Sequence, residues 1–458
     1  MIQPTLTIAK NTLVEGLRQP VFFVILLASA IFQYLNTAIT GYSMGMTMVP
    51  GEVTGDTKLL FDIGLATVFV LGVVLAAFVS TAAVSREIDN KTVLTIVSKP
   101  IGRASVVIGK FLGVGVCMLM AAVIMVLHLL YAIHHGVMST AADDPHMPVI
   151  VLGVGSFFLS MTIAGFGNFW YGWSFSQTFV LLLLPLSIVA YIVMLPFDEH
   201  WGMADLKEVI RPQVVLACVG VVMAMLVIAG IATAASTRLG QVMTMVVCVG
   251  VFALGLLSNH FVGRYAFGNT RLAVIESAEP VNEFRDAGFL SPGQAYRVVL
   301  EEPPRENVRV GDPFFYGPSP NGLALVTPAF EPPAIDGANA IDLSDRNFAQ
   351  GTESGIAIAE VVSDTEFIIR HFGVRPLPIE RAPQRNDHFF RAPTEVNVLA
   401  FAAWTVIPNL HHYWLVDAVT QANSIPLGHV LMVAVYASFH IGACLCLAVL
   451  LFQDRDVG

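Results

Sequence analysis

The stretch Ser85–Phe111, SREIDNKTVLTIVSKPIGRASVVIGKF, is a polar island between two apolar runs that are each long enough to cross a bilayer. It gathers Arg86, Lys91, Lys99, Arg103 and Lys110, and such a bias in a short loop between spans places the loop on the cytoplasmic side. Glu87 and Lys91 stand at i and i+4, an ion pair in the better orientation, and Val93, Leu94, Ile96 and Val97 supply an apolar face. Pro100 ends that helix, because the residue before a proline is pushed out of the α region. Gly102 and Arg103 then open a second helical run that enters the next span at about Lys110. The pattern predicts a short amphipathic helix held against the membrane at 85–110, where a cytoplasmic partner can grip it.

Composition sets the class around this island. Mean hydropathy is +0.70, and 55% of residues are hydrophobic against 13% charged, where a soluble domain carries about 25% charged residues. The chain is therefore expected to be a polytopic membrane protein. Its net charge of -10 gives no basic surface for nucleic acid, since much of the acid lies in one soluble segment. Cys117, Cys218, Cys248, Cys444 and Cys446 all fall inside expected spans, which leaves no disulfide framework. Met1–Pro20 reads as no cleavable signal peptide: it is only moderately apolar, carries Glu15, and runs into a long hydrophobic stretch without a small-residue cleavage site.

Working outward, Pro4–Arg18 reads as an interfacial helix on the cytoplasmic leaflet. Eight spans are expected, at about 21–39, 59–84, 111–133, 149–170, 178–195, 214–235, 242–257 and 427–452. Gly109 and Gly113 have the spacing that lets helices approach closely, a weak signal in a chain with 37 glycines. With the N-terminus inside, the cytoplasmic pieces hold Lys10, Arg18, Arg86, Lys91, Lys99, Arg103, Lys110, Arg238 and Arg455. The short outer loops hold Lys58, Lys207 and Arg211. That three-to-one bias runs in the expected direction and places 259–397 outside the cytoplasm.

Three parts follow: 1–258 with the first seven spans, a soluble insert at 259–397, and 398–458 with an outer amphipathic segment and the last span. The insert is long enough for its own core. AYRVVLEE alternates at Tyr296, Val298 and Leu300, GLALVTPAF follows a Pro-Asn-Gly turn, and GIAIAEVV and EFIIRHF flank Ser363-Asp364-Thr365 as a hairpin. Frequent Pro and Gly between short strands predict a β sandwich or barrel. The expected fold is thus mainly α, a polytopic bundle with a β-rich extracytoplasmic domain inserted before the last helix.

The island, read as RE-I-D-N-K-T, then SKP-I-G-R, then GKF-L-G, resembles the permease subunits of type 2 ABC exporters, and among them the copper-enzyme maturation and gliding-type branch. The closing LFQDRDVG and the segment before the last span are similar to that family too, and the insert departs from its short six-span form. The resemblance implies that this loop is a coupling helix docked into a separately encoded ATPase, with Arg86, Glu87, Lys91, Val93, Leu94, Val97, Lys99 and Arg103 as the coupling residues. It implies alternating access in a dimer of permease copies driven by two ATPase subunits. ATP and Mg then belong to the partner, and this chain is neither an enzyme nor the holder of a cofactor.

Other constellations have plainer readings. The Gly-Lys pair of GRASVVIGKF has six residues between its glycines and Phe111 after the lysine, which does not make a phosphate-binding loop. Met44, Met46 and Met48 offer thioethers suited to Cu(I), with adaptable packing as the plainer alternative. His134, His135 and His146, beside Asp143 and Asp144, have metal-ligand chemistry, with a solvated polar loop as theirs. His128 and His440 lie within spans, where an ionisable group is a functional hypothesis and a neutral imidazole bonded to a neighbouring helix is the simpler one. No carboxylate lies near the middle of a span, which argues against proton- or cation-coupled transport. The insert has no Gly-x-Ser-x-Gly or ordered triad. Trp404, Tyr413 and Trp414 are spaced as an aromatic belt at headgroup level.

The sequence therefore reads as a multi-pass permease subunit of the cytoplasmic membrane with both termini inside. Its partners are an ATPase, a second permease copy, the bilayer and an extracytoplasmic protein. The alternative is a membrane interaction protein that carries ATPase motion to the β domain and moves no substrate. Single cysteines placed in 259–397 are expected to react with a membrane-impermeant thiol reagent in intact cells; labelling only after lysis would overturn this topology.

Overall fold

The computed structural model describes residues 2–42, 55–89, 102–138, 143–204, 212–281, 288–322, 325, 327, 354–373, 377, 379, 381–420 and 425–453. Among these are eight helices long and apolar enough to cross a membrane: Pro20–Ile39, Asp56–Ser85, Arg103–His135, Val149–Tyr171, Phe175–Met194, Pro212–Ser236, Gln241–Ala266 and Leu427–Gln453, spans 1 to 8. The chain is mainly helical, with a β domain between spans 7 and 8. It divides into two compact units, Met1–Leu256 with Pro408–Gly458, and Leu257–Ile407.

Hydrocarbon gives no hydrophobic force between spans, so small residues and hydrogen bonds must join them. Spans 2, 3 and 6 are the most enclosed and spans 7 and 8 the least. Gln33 Nε2 on span 1 donates to Gly64 O of span 2 at 2.8 Å, and Asn36 Nδ2 to Leu60 O at 2.9 Å. Gly172, with φ of 67°, ends span 4 in the left-handed conformation. The chain re-enters at Phe175, and Ser176 Oγ donates to Gln19 O at 2.9 Å, joining the starts of spans 1 and 5.

The N-terminal helix, Ile2–Leu17, packs along span 3. A Cβ on Gly109 would stand 2.8 Å from Thr5 O, and one on Gly113 would stand 2.6 Å from Ala9 O. The Gly109–Gly113 spacing is thus a contact in which one helix backbone lies directly on another. Thr12, Gly16 and Leu17 of the N-terminal helix are buried, while Ile2 and Leu6 are exposed.

In the second unit, strands β1 (Phe267–Gly268), β2 (Arg271–Pro280), β3 (Ala295–Leu300), β4 (Phe315–Gly317), β5 (Gly355–Ser363), β6 (Glu366–Phe372), β7 (His388–Phe390) and β8 (Glu395–Val396) are antiparallel throughout. Six of them form one sheet in the order β4-β7-β2-β3-β6-β5, and β1 pairs with β8. Register shifts within β2 and β5 let the sheet curl. The segment before β4 then meets the far edge, with Gly311 N on Ile358 O at 2.8 Å and Phe314 N on Ile356 O at 2.9 Å. These bonds cover the first part of the β5 edge and leave a half-barrel. Phe289, Phe314, Tyr316, Phe367 and Phe389 fill the interior, with Phe314 and Phe389 stacked at 4.3 Å. Asp387, almost wholly buried, accepts from Arg381 Nη2 at 2.6 Å and from Gln384 N at 2.9 Å.

The expected β3 strand and the β5–β6 hairpin are both present. Most of GLALVTPAF lies outside the described residues. After β8, Asn397 caps the short helix Val398–Val406 by accepting from Leu399 N and Ala400 N. Trp404 donates its indole N–H to Asn259 Oδ1 at 3.2 Å. Tyr413 corrects the expected aromatic belt: it is 1% exposed, and its carbonyl occupies the space beside Gly220 of span 6, so it belongs to the core of the bundle.

Gly113→Val is expected to cost about 1–3 kcal/mol by overpacking against the N-terminal helix, read as a lower thermal unfolding midpoint. Gly115→Ala, where nothing lies within 4 Å of the added carbon, should leave the midpoint unchanged. Equal midpoints for the two variants would refute the close packing.

Candidate functional site

The helix of span 2 runs on to Asp89 and span 3 starts at Arg103. Arg86 and Glu87 therefore fall at the end of the span 2 helix, and Lys91, Val93, Leu94, Val97 and Lys99 lie outside the described residues. What the structure does give is the frame that holds this segment. Lys110, one of the most buried cations at 3% exposure, donates its ammonium to Ala83 O of span 2. Arg103 donates to Gln453 O of span 8, and Arg238, just after span 6, donates through Nε to Leu451 O at 2.8 Å. Arg18 donates through Nε to Gln177 Oε1 of span 5 at 2.9 Å.

Three of these bonds tie the island-side ends of spans 2, 3, 6 and 8 together, and the fourth ties the starts of spans 1 and 5. Two of them have the chemistry of helix capping. Leu451 and Gln453 lie in the last turn of span 8, whose carbonyls have no partner within the helix, and a guanidinium supplies one while favouring the negative end of the helix dipole. In the sequence, Arg18 and Arg238 stand out only as topology markers, and Lys110 also as the point where a helical run enters span 3. The signal that separates them is position, since each stands within about two turns of a span's end.

The opposite end carries the histidines. Span 3 ends in His134 and His135, and His146 stands just before span 4 with its ring centroid 4.6 Å from that of His134. His134, His135 and His146 line a space of about 530 Å³ with Asp198 and Glu199. Burial, reinforced by His135, pushes the His146 imidazole below its ordinary pKa, while Glu199 and Asp198 pull the other way. Asp198 organises its own turn, its Oδ1 accepting from His200 N at 3.0 Å and from Gly202 N at 2.6 Å. Asp144 comes within 3.8 Å of His200 on the exposed surface.

Among the described residues no group of three His, Cys, Asp or Glu side chains is placed to hold a metal ion. The Met44, Met46 and Met48 run lies outside the described residues. His128, inside span 3, sets Nδ1 3.5 Å from Ser29 Oγ of span 1. His440 instead sets Nδ1 3.1 Å from Tyr436 O of its own helix.

No curated protein and no solved structure matches the chain. Residues 6–168 match the family model described as ABC-2 family transporter protein, a match that runs from the N-terminal helix through the island and into span 4. That stretch, just over a third of the chain, is similar to that family, and the described residues hold eight helices long and apolar enough to cross a membrane.

Proposed function

We propose that this chain is the permease subunit of an ATP-driven exporter, paired with a second permease copy and powered by two separately encoded ATPase subunits that grip Arg86–Val97. The island faces the cytoplasm in this reading, and 259–397 lies outside. The observation that carries it is the cationic frame. Lys110 binds span 3 to span 2 on the two sides of the gripped segment, so a push there displaces both helices together. Arg103 passes the displacement to span 8, which Arg238 also holds from span 6. Hydrolysis and its magnesium belong to the ATPase, and this chain's part is mechanical.

A second reading, a transmitter that moves the β domain and no substrate, is favoured by one feature. The helix of span 7 ends at Ala266 and β1 begins at Phe267, the next residue. The two readings share the coupling element and differ in what the bundle does with the motion.

The coupling element is tested by Glu87→Lys combined with Val93→Asp. An exposed ion pair contributes roughly 0.5 kcal/mol or less to the fold, so membrane insertion should survive. At a docking surface the same reversal sets like charges against the partner and costs about 2–5 kcal/mol, so co-purification of the ATPase and ATP-dependent activity should collapse. Unchanged ATPase association would remove the segment from the coupling role.

A further inference from the structure

Spans 4 and 5 are joined by Gly172, Trp173 and Ser174, and around this turn Phe166, Phe169, Trp170, Tyr171 and Trp173 are all exposed. Phe169 is 80% exposed, and Trp170 and Tyr171 are 65% exposed each. The turn is tightly bonded. Gly172 N donates to Asn168 O at 3.2 Å, Trp173 N to Gly167 O at 3.1 Å, and Asn168 Nδ2 to Trp173 O at 2.6 Å. The Trp173 ring folds onto Gly167, where an added Cβ would stand 2.2 Å from it, and it stacks with Tyr171 at 5.4 Å between centroids. Phe169 and Trp170 meet edge to face at 5.3 Å. The result is a preformed aromatic tip.

Neighbouring bonds fix the level of this tip. Ser176 and Gln177, at the start of span 5, bond Gln19 and Arg18 at the start of span 1. Gly16, just before that start, lies against Cys117 of span 3, where an added Cβ would stand 2.6 Å from Sγ. At the far end of span 1, Met138 N, just past span 3, donates to Thr37 O at 3.0 Å. Spans 1 and 5 have 20 residues each, about 30 Å at 1.5 Å per residue, which equals the hydrocarbon thickness. The tip therefore stands at one edge of the apolar layer. The part of span 3 from Arg103 to Cys117, about 20 Å long, reaches beyond that edge on the island side.

Two further observations choose the occupant of this surface. Exposed side chains continue from Phe166 down span 4 through Ile163 and Leu159, so the tip closes a face that meets lipid tails. From Met147 to Phe197 the sequence holds no Asp, Glu, Lys, Arg or His, so the hairpin has no cation of its own to hold its end at the water boundary. Trp and Tyr are the other side chains that serve there, each joining an apolar ring to a polar tip. We propose that this aromatic tip docks in the headgroup layer of the island-side leaflet and anchors spans 4 and 5 at a fixed depth. Anionic lipid is not required, because the hairpin offers no cation to recruit it. The inference stands apart from the exporter reading, since it needs neither ATPase nor transport.

The test uses the full chain in phosphatidylcholine vesicles, with the tryptophan emission lost in Trp170→Phe taken as the Trp170 signal. A nitroxide near the head of the acyl chain should quench that signal at least about twofold more than one near the chain's end, as expected for a ring at headgroup level. Leu159→Trp in the Trp170→Phe background should reverse the order. Adding phosphatidylglycerol should leave the Trp170 ratio unchanged, and a changed ratio would overturn the aromatic basis. Phe169→Ser with Trp170→Ser should move the Trp173 ratio toward one at an unaltered thermal midpoint, and Phe169→Gln alone repeats the test if the midpoint falls. A Trp173 ratio that stays put would overturn the anchor. Stronger quenching of Trp170 from the chain's end would put the tip in hydrocarbon. Absence of quenching, with benzoylphenylalanine at position 169 crosslinking to a second copy, would give the surface to protein and overturn the proposal.

Discussion

A lysine with 3% exposure, its ammonium donated to Ala83 O, fixes the point from which the bundle is organised. Lys110 is flanked by Gly109, and one turn further along stands Gly113. The first three turns of span 3 therefore hold the N-terminal helix by backbone contact, span 2 by the lysine, and span 8 by Arg103. A charge so deeply enclosed persists only where its hydrogen bonds are met. The bond to Ala83 O ties that cation across the junction of spans 2 and 3. The island between those spans inherits that fixed base.

Beyond this joint, the bundle is assembled from contacts that are individually modest, about 0.6–2 kcal/mol for an interhelical hydrogen bond in a membrane. Close approach makes up the difference. Gly220 of span 6 lies against Tyr413 O, and Gly255 of span 7 against Pro408 O, so the segment before span 8 is seated on glycines as the N-terminal helix is. Spans 7 and 8 present apolar outer faces at Val246, Leu254, Leu431 and Phe439, which need lipid or a second copy as their surroundings.

The spans were legible because a bilayer demands a minimum apolar length, and hydropathy reports that demand directly. β3, β5 and β6 were legible for a similar reason, since alternation along a half-buried strand is visible in AYRVVL and in EFIIRHF. β2 was missed: RLAVIESAEP mixes its short apolar run with Glu, Ser and Pro, and its place at the centre of the sheet comes from pairing with β3 and β7. β4 and β7, at three residues each, are too short to show a period. Tyr413 shows the limit of residue type, because a tyrosine suits a headgroup belt and a packed core alike, and only its neighbours on span 6 decide. At the candidate site, charge alone marked Arg103, Lys110 and Arg238, while the carbonyls that accept from them lie on other helices, those of Arg103 and Arg238 more than 200 residues away.

Span 3 also explains why the two ends of the molecule cannot be mechanically separate. It is one unbroken helix of 33 residues, about 50 Å long at 1.5 Å per residue, against a hydrocarbon thickness of about 30 Å. The excess places Arg103 and Lys110 beyond the apolar layer at one end and His134 and His135 beyond it at the other. The far turns of the same rod carry His128, Tyr131 and His135, which wall a cleft shared with spans 1 and 4. Any occupant of that cleft that fits one position of span 3 better than another must bias the rod, and the rod must bias the occupant's affinity by the same factor. Coupling across the bundle therefore needs no chain of intermediate contacts, because a single stiff element is part of both ends.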